Sequence, residues 1–171
     1  MSETGAHTLI AGTTESGKTT LAKMMCAAYA ETGIKRIVLD PMNDPGWNAD
    51  FQTRDANEFL RVMKASRQCA CFVDEGSENV GRYDTEMHWC ATQARHLGHR
   101  VTFICQAPTQ IAPVVRNNCS QVAVFRIAPN DAKVLAECYT QPSLRDAIYL
   151  SKGEYLYTGR FNSKVEKRRV F

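Results

Sequence analysis

The sequence predicts an α/β fold with a mainly parallel central sheet, flanked by helices and ending in a short β hairpin. Three observations predict it. Short apolar runs alternate along the chain with segments whose apolar residues recur at helical spacing, the pattern that builds parallel sheets with right-handed crossovers. The run 69–73 is apolar throughout, as in a strand buried on both faces. Finally, residues 12–19, GTTESGKT, fit G-x-x-x-x-G-K-[ST] at every fixed position and stand between a strand pattern and a helix pattern.

The elements follow in order. Residues 8–11 read as the first strand, and 18–30 as a helix in which Leu21, Met24, Met25 and Ala28 share one face, with Gly33 as its stop. A second strand covers 35–40, and 41–50 is rich in turn residues. Asp55 is placed to cap a helix whose Ala56, Phe59, Leu60 and Met63 keep an apolar face. The third strand, 69–73, ends in Asp74-Glu75, followed by a loop over 76–82. A helix over 85–97 buries Met87, Cys90, Ala91 and Ala94 and ends at Gly98. The fourth strand, 101–105, closes on Gln106. After it come a loop with one helical turn over 108–118 and a fifth strand over 121–127. Helical segments at 131–139 and 143–150 lead to final strands at 154–158 and 165–171. Ligands of parallel sheets bind at the carboxyl ends of the strands, which here carry Gly12, Asp40, Asp74, Glu75 and Gln106.

The glycine-rich stretch has a chemistry of its own. Between a strand and a helix, successive backbone N–H groups from Gly12, Thr13, Thr14, Glu15, Ser16, Gly17, Lys18, Thr19 and Thr20 can wrap phosphates, aided by the partial positive charge of the helix N-terminus. Lys18 is expected to reach the outer phosphates and the Thr19 hydroxyl to ligate Mg²⁺. Asp74 is the expected second metal anchor. Glu75 beside it suits a general base toward the water that attacks the terminal phosphate, which favours hydrolysis over transfer to a small acceptor. The carboxamide of Gln106 suits a sensor of the γ-phosphate or a holder of that water. Nucleoside triphosphate binding, with ATP and Mg²⁺ as the ligands, is the expectation.

Composition narrows the class. The 171 residues suffice for a single domain, 1–171, with its own core. Hydrophobic content of 44% and charged content of 23% are ordinary for a globular chain, and no apolar stretch is long enough to span a membrane. Seven cysteines, an odd number lying mostly in apolar runs, read as buried small hydrophobes of a reducing compartment. Cys69 and Cys71 have no partner pair for a zinc site. A net charge of +3 does not announce a nucleic-acid partner. The cluster Lys164, Lys167, Arg168 and Arg169 fits either a solvated strand or a DNA contact.

Three stretches carry a resemblance to the FtsK–HerA superfamily of DNA-pumping ATPases. IAGTTESGKTTLAKMM resembles the A-G-T-T-G-S-G-K-S loop of the FtsK motor. ATQARHLGHRVTFICQAP resembles the A-R-x-x-G block that continues through a strand into x-Q-x-P, with Arg95, Gly98, Gln106 and Pro108 in register. IAPVVRNNCSQVAVF and KGEYLY resemble the segments that follow, so the register runs from about residue 8 to 158. The chain departs from the family at Glu15, which stands where glycine is usual.

The resemblance implies a RecA-like core of the additional-strand, catalytic-Glu type, with the Gln106 strand between the P-loop and Asp74 strands. It also implies a homo-oligomeric ring, pentamer or hexamer, with ATP at each interface and a neighbour's arginine completing the site. Arg95 and Arg116 match basic positions of the family and are the two candidates. Minimal size looks like the genome-packaging ATPases of icosahedral viruses. By that analogy, the function is driving double-stranded DNA into a preformed capsid, with portal or packaging-vertex proteins as partners and residence in the host cytoplasm and at the virion vertex. The alternatives are a host, plasmid or conjugative DNA translocase, a P-loop nucleoside or nucleotide kinase, and a non-hydrolysing assembly switch.

Overall fold

The computed structural model describes residues 6–76 and 85–171. Its strands are β1 (His7–Ala11), β2 (Arg36–Leu39), β3 (Phe51–Thr53), β4 (Ala70–Val73), β5 (Arg100–Cys105), β6 (Cys119–Val124), β7 (Glu154–Gly159) and β8 (Glu166–Arg169). They form one sheet in the order β3-β2-β4-β5-β1-β6-β7-β8. Every pairing from β3 to β6 is parallel, and the β6–β7 and β7–β8 pairings are antiparallel. The expected mainly parallel sheet with a terminal hairpin is therefore what forms, and β5 lies between β4 and β1 as the resemblance implied.

The central strands are buried on both faces because each alternates its side chains between two apolar clusters. Leu9, Leu39, Cys71, Val73 and Phe103 face one cluster, with Phe59, Leu60 and Met63 of α2 (Ala56–Ala65) and Ala132 and Leu135 of α5 (Pro129–Cys138). Ile10, Val38, Phe72 and Ile104 face the other, with Ala22 and Cys26 of α1 (Lys18–Glu31) and Trp47. Asp55 caps α2 as expected, its carboxylate accepting from the Asn57 N–H at 2.8 Å and the Glu58 N–H at 3.4 Å. Such a cap is worth about 1 kcal/mol. All seven cysteines are free, and six are buried.

Several elements differ from expectation. β3 extends the sheet beyond β2, where the sequence offers only three residues, Phe51, Gln52 and Thr53. The helix expected over 85–97 is a short turn, α3 (Trp89–Thr92), followed by a 3-10 turn (Ala94–Leu97). The segment expected as helix over 143–150 is a 3-10 helix, Pro142–Tyr149. Between β5 and β6 stand a 3-10 turn (Pro108–Gln110) and α4 (Pro113–Asn118), each opened by a proline. The loop expected over 76–82 lies, except for Gly76, outside the described residues.

Candidate functional site

The glycine-rich stretch joins β1 to α1 and is held from below. The Gly12 N–H donates to the Cys105 carbonyl at 3.1 Å, and the Thr13 N–H to the Arg126 carbonyl at 2.9 Å, tying the loop to the ends of β5 and β6. Its crown turns through two left-handed residues, Glu15 at φ 63° and Gly17 at φ 114°. Gly17 has no substitute on space grounds either. A Cβ there would stand 2.9 Å from Val170 Cγ2 and 3.0 Å from Phe125 Cε1.

This backbone leaves the N–H groups of Thr14, Glu15, Gly17, Lys18, Thr19 and Thr20 without a hydrogen-bond acceptor among the described residues. They surround the first turn of α1, whose dipole adds positive potential. The buried Lys18 side chain reaches back across the loop, its Nζ donating to the Thr13 carbonyl at 3.4 Å. Free N–H groups, a helix N-terminus and an ammonium facing one concavity suit a chain of phosphates.

Asp74 and Glu75 follow β4, and Gln106 follows β5, so the Gln106 tip adjoins the loop at the β1 tip and the acidic tip stands one strand further out. Asp74 is buried, and its Oδ1 accepts from the Glu75 N–H at 2.9 Å. Burial pushes its pKa up to about 6 against the pull of that N–H; the carboxylates of Asp40 and Glu75 add to the rise, and the Lys18 ammonium opposes it. A buried carboxylate is a hard oxygen donor. With the half-buried Thr19 hydroxyl in the first turn of α1, the donor set fits Mg²⁺. Glu75 sits at φ 50°, a left-handed geometry that costs a non-glycine residue about 1–2 kcal/mol and marks a backbone held for position. Gln106 is exposed at the mouth.

The loop after Gln106 is clamped by residues that sequence reasoning did not assign to it. Asp131 Oδ1 accepts from both the Thr109 N–H at 3.1 Å and the Thr109 hydroxyl at 2.8 Å. Arg116 donates to the carbonyls of Pro108 at 2.8 Å and Ile111 at 2.7 Å. Arg160 donates in turn to the carbonyls of Arg116 and Cys138. The guanidinium of Arg116, one of the two arginine candidates, is thus engaged within its own chain. Arg95, the other, is exposed before β5 and close enough to His7, at the start of β1, to help hold that ring neutral. Both lie at the strand N-termini, so β1 separates Arg95 from its own P-loop by about 16 Å. Asp40, expected on the ligand rim, is spent on its own loop, accepting from the N–H groups of Met42 and Asp44 and from the Trp47 indole.

The glycine-rich loop between a strand and a helix, with an acidic strand tip two strands away and a carboxamide between, defines a P-loop NTPase fold. Among solved structures, the chain is similar to the genome packaging NTPase B204 from Sulfolobus turreted icosahedral virus 2 in complex with AMPPCP. That likeness has a TM-score of 0.83 at 14% identity and covers 98% of each chain. It is similar to the pCW3 conjugation coupling protein TcpA bound to ATPgS, at a TM-score of 0.74 and 14% identity, over 96% of this chain and 60% of that one. It is also similar to EccC of Thermomonospora curvata (ATPases 2 and 3), at a TM-score of 0.66 and 15% identity, over 97% of this chain and 36% of that one. No protein-family model and no curated protein sequence matches the chain. The chain shares its fold with these solved proteins.

Proposed function

We propose that this chain is a single-domain ATPase motor that moves double-stranded DNA, and that its task is packaging a viral genome into a preformed capsid. The observation that carries the reading is the convergence of unpaired loop N–H groups, Lys18, Thr19, Asp74, Glu75 and Gln106 at three adjacent strand tips. The full-length likeness to a packaging NTPase supports the particular task.

In this reading the loop N–H groups and Lys18 hold the β- and γ-phosphates of ATP. Thr19 and Asp74 would hold Mg²⁺, which when bound would supply charge neutralisation at those phosphates. Glu75 takes the proton of the attacking water, and Gln106 orients that water against the γ-phosphate. The clamp of Asp131 and Arg116 on the following loop fixes where Gln106 can stand. Arg95 reaches into the site of a neighbouring subunit in a ring of five or six, where it meets transition-state charge, an effect of about 10³–10⁵-fold in related phosphoryl transfers. DNA passes through the ring and is gripped by its phosphates without sequence readout. The ring docks at a portal or packaging vertex, in the host cytoplasm and then on the virion. No helix among the described residues is long and apolar enough to cross a membrane. The likeness to a conjugation coupling protein supports a second reading, a plasmid DNA translocase with the same core.

Glu75→Gln tests the hydrolytic assignment. It is expected to lower phosphate release at least 100-fold while leaving the ATP dissociation constant within about threefold, measured by calorimetry. Turnover close to that of the unsubstituted chain contradicts the assignment and points to a protein that uses ATP only to assemble.

A further inference from the structure

We propose that Phe171 is the platform on which the base of the bound nucleotide lies, an inference that rests on the nucleotide-binding reading above. The sheet order sets the direction of the ligand. β4 and β5, which carry Asp74, Glu75 and Gln106, lie on one side of β1, and β6, β7 and β8 lie on the other. A triphosphate whose terminal group faces Asp74 and Gln106 therefore crosses the mouth of the loop and leaves it at Thr20, on the β6–β8 side.

A cavity of about 320 Å³ opens at that exit, lined by Glu15, Gly17, Lys18, Thr19, Thr20, Lys152 and Phe171. Its phosphate end is the loop itself. Its outer wall is the Phe171 ring, with the exposed Lys152 beside it. Phe171 is 59% exposed, so its ring face is open toward the cavity it lines.

The ring is nevertheless fixed relative to the loop. The Val170 N–H donates to the Gly153 carbonyl at 2.9 Å, and the Gly153 N–H donates to the Ser16 carbonyl at 2.9 Å. Two main-chain bonds thus couple the segment after β8 to the P-loop. The ring edge rests directly on Gly153, where a Cβ would come within 2.7 Å of Phe171 Cε2. Gly153 has a φ of 83°, so the turn that receives the ring is one that glycine adopts freely. An aromatic face tied through its main chain to the exit of a phosphate cradle suits stacking of a purine, which needs a π-face and no particular hydrogen-bonding edge.

The test compares the dissociation constants of Mg·ATP and magnesium tripolyphosphate for the unsubstituted chain, Phe171→Ala and Phe171→Trp. Stacking predicts that Phe171→Ala weakens ATP about tenfold and leaves tripolyphosphate unchanged, while Phe171→Trp keeps ATP binding. ATP binding undiminished in Phe171→Ala overturns the inference, as does equal weakening of both ligands, which marks distortion of the loop. An unsubstituted chain that binds neither ligand overturns the nucleotide-binding reading itself, and the platform with it.

Discussion

His7 is buried at the start of β1, and its Nδ1 accepts the Val101 N–H at 3.1 Å, closing the end of the β1–β5 pairing. Burial, reinforced by the positive charge of Arg95 and by His99, lowers its pKa from 6.5 to about 4. Between those values the unfolded chain binds the proton and the folded chain does not. The His7 contribution is therefore fully present above pH 6.5 and is lost as pH falls toward 4, by about 3 kcal/mol. Denaturant unfolding of the unsubstituted chain and His7→Gln at pH 7.5 and pH 5 checks this. By pH 5 about 2 kcal/mol of that is gone, so the substitution is expected to flatten the acid loss between the two pH values by about that much, and an equal loss in both proteins contradicts the buried neutral ring. At this scale the sequence was most legible where spacing is rigid. Gly17, Lys18 and Thr19 occupy consecutive positions whose chemistry depends on local backbone alone. The effect of Glu15 was not legible; the structure puts it at the left-handed φ of 63° that glycine adopts freely. Phe171 was not legible either, because its relation to Gly17 is set by pairing between segments far apart in the chain.

What holds each guanidinium separates the two arginine candidates. Arg95 belongs to the 3-10 turn that feeds the N-terminus of β5, and it is exposed on the edge away from the P-loop. That placement keeps it from its own P-loop, as the proposed role at a neighbouring subunit's site requires. Arg116, on α4, is held by the carbonyls of Pro108 and Ile111, where it steadies the segment after Gln106. Subunits with Arg95→Ala are accordingly expected to recover phosphate release when mixed with Lys18→Ala subunits, whose own sites cannot fire but whose arginines are intact. Arg116→Ala subunits are expected to gain nothing from the same mixing. Failure of the Arg95→Ala mixture, or rescue of the Arg116→Ala one, contradicts this division. Matching a family pattern could not separate the two, because the difference lies in which carbonyls each guanidinium finds. The elements missed in the sequence were the short ones. β3 has too few residues to show alternation and is defined by its pairing with β2. The break between α3 and the following 3-10 turn leaves no mark on an apolar spacing that a continuous helix would also satisfy.

Across the whole molecule, the sheet organises function by position. The strand order places Asp74, Glu75 and Gln106 on one side of β1 and the proposed base platform on the other, so the proposed nucleotide site spans the point where the chain reverses its direction of winding. The order itself was legible only through the family resemblance, since alternation predicts parallel strands without saying which are neighbours. The exposed strand β8 shows how composition can be ambiguous. Its Arg168 pairs with Glu166 and lies over the Tyr157 ring, while Lys167 and Arg169 both approach Glu154. Much of the basic cluster is therefore matched within the chain, which suits a guarded sheet edge. In the proposed function the grip on DNA belongs to an assembled ring, and the measurement that tests that proposal most directly is phosphate release at saturating Mg·ATP, titrated with duplex DNA at increasing salt. The account predicts a rate that rises with duplex, loses that rise as salt screens the phosphate contacts, and vanishes in Glu75→Gln. A rate equal with and without duplex at every salt concentration would contradict it.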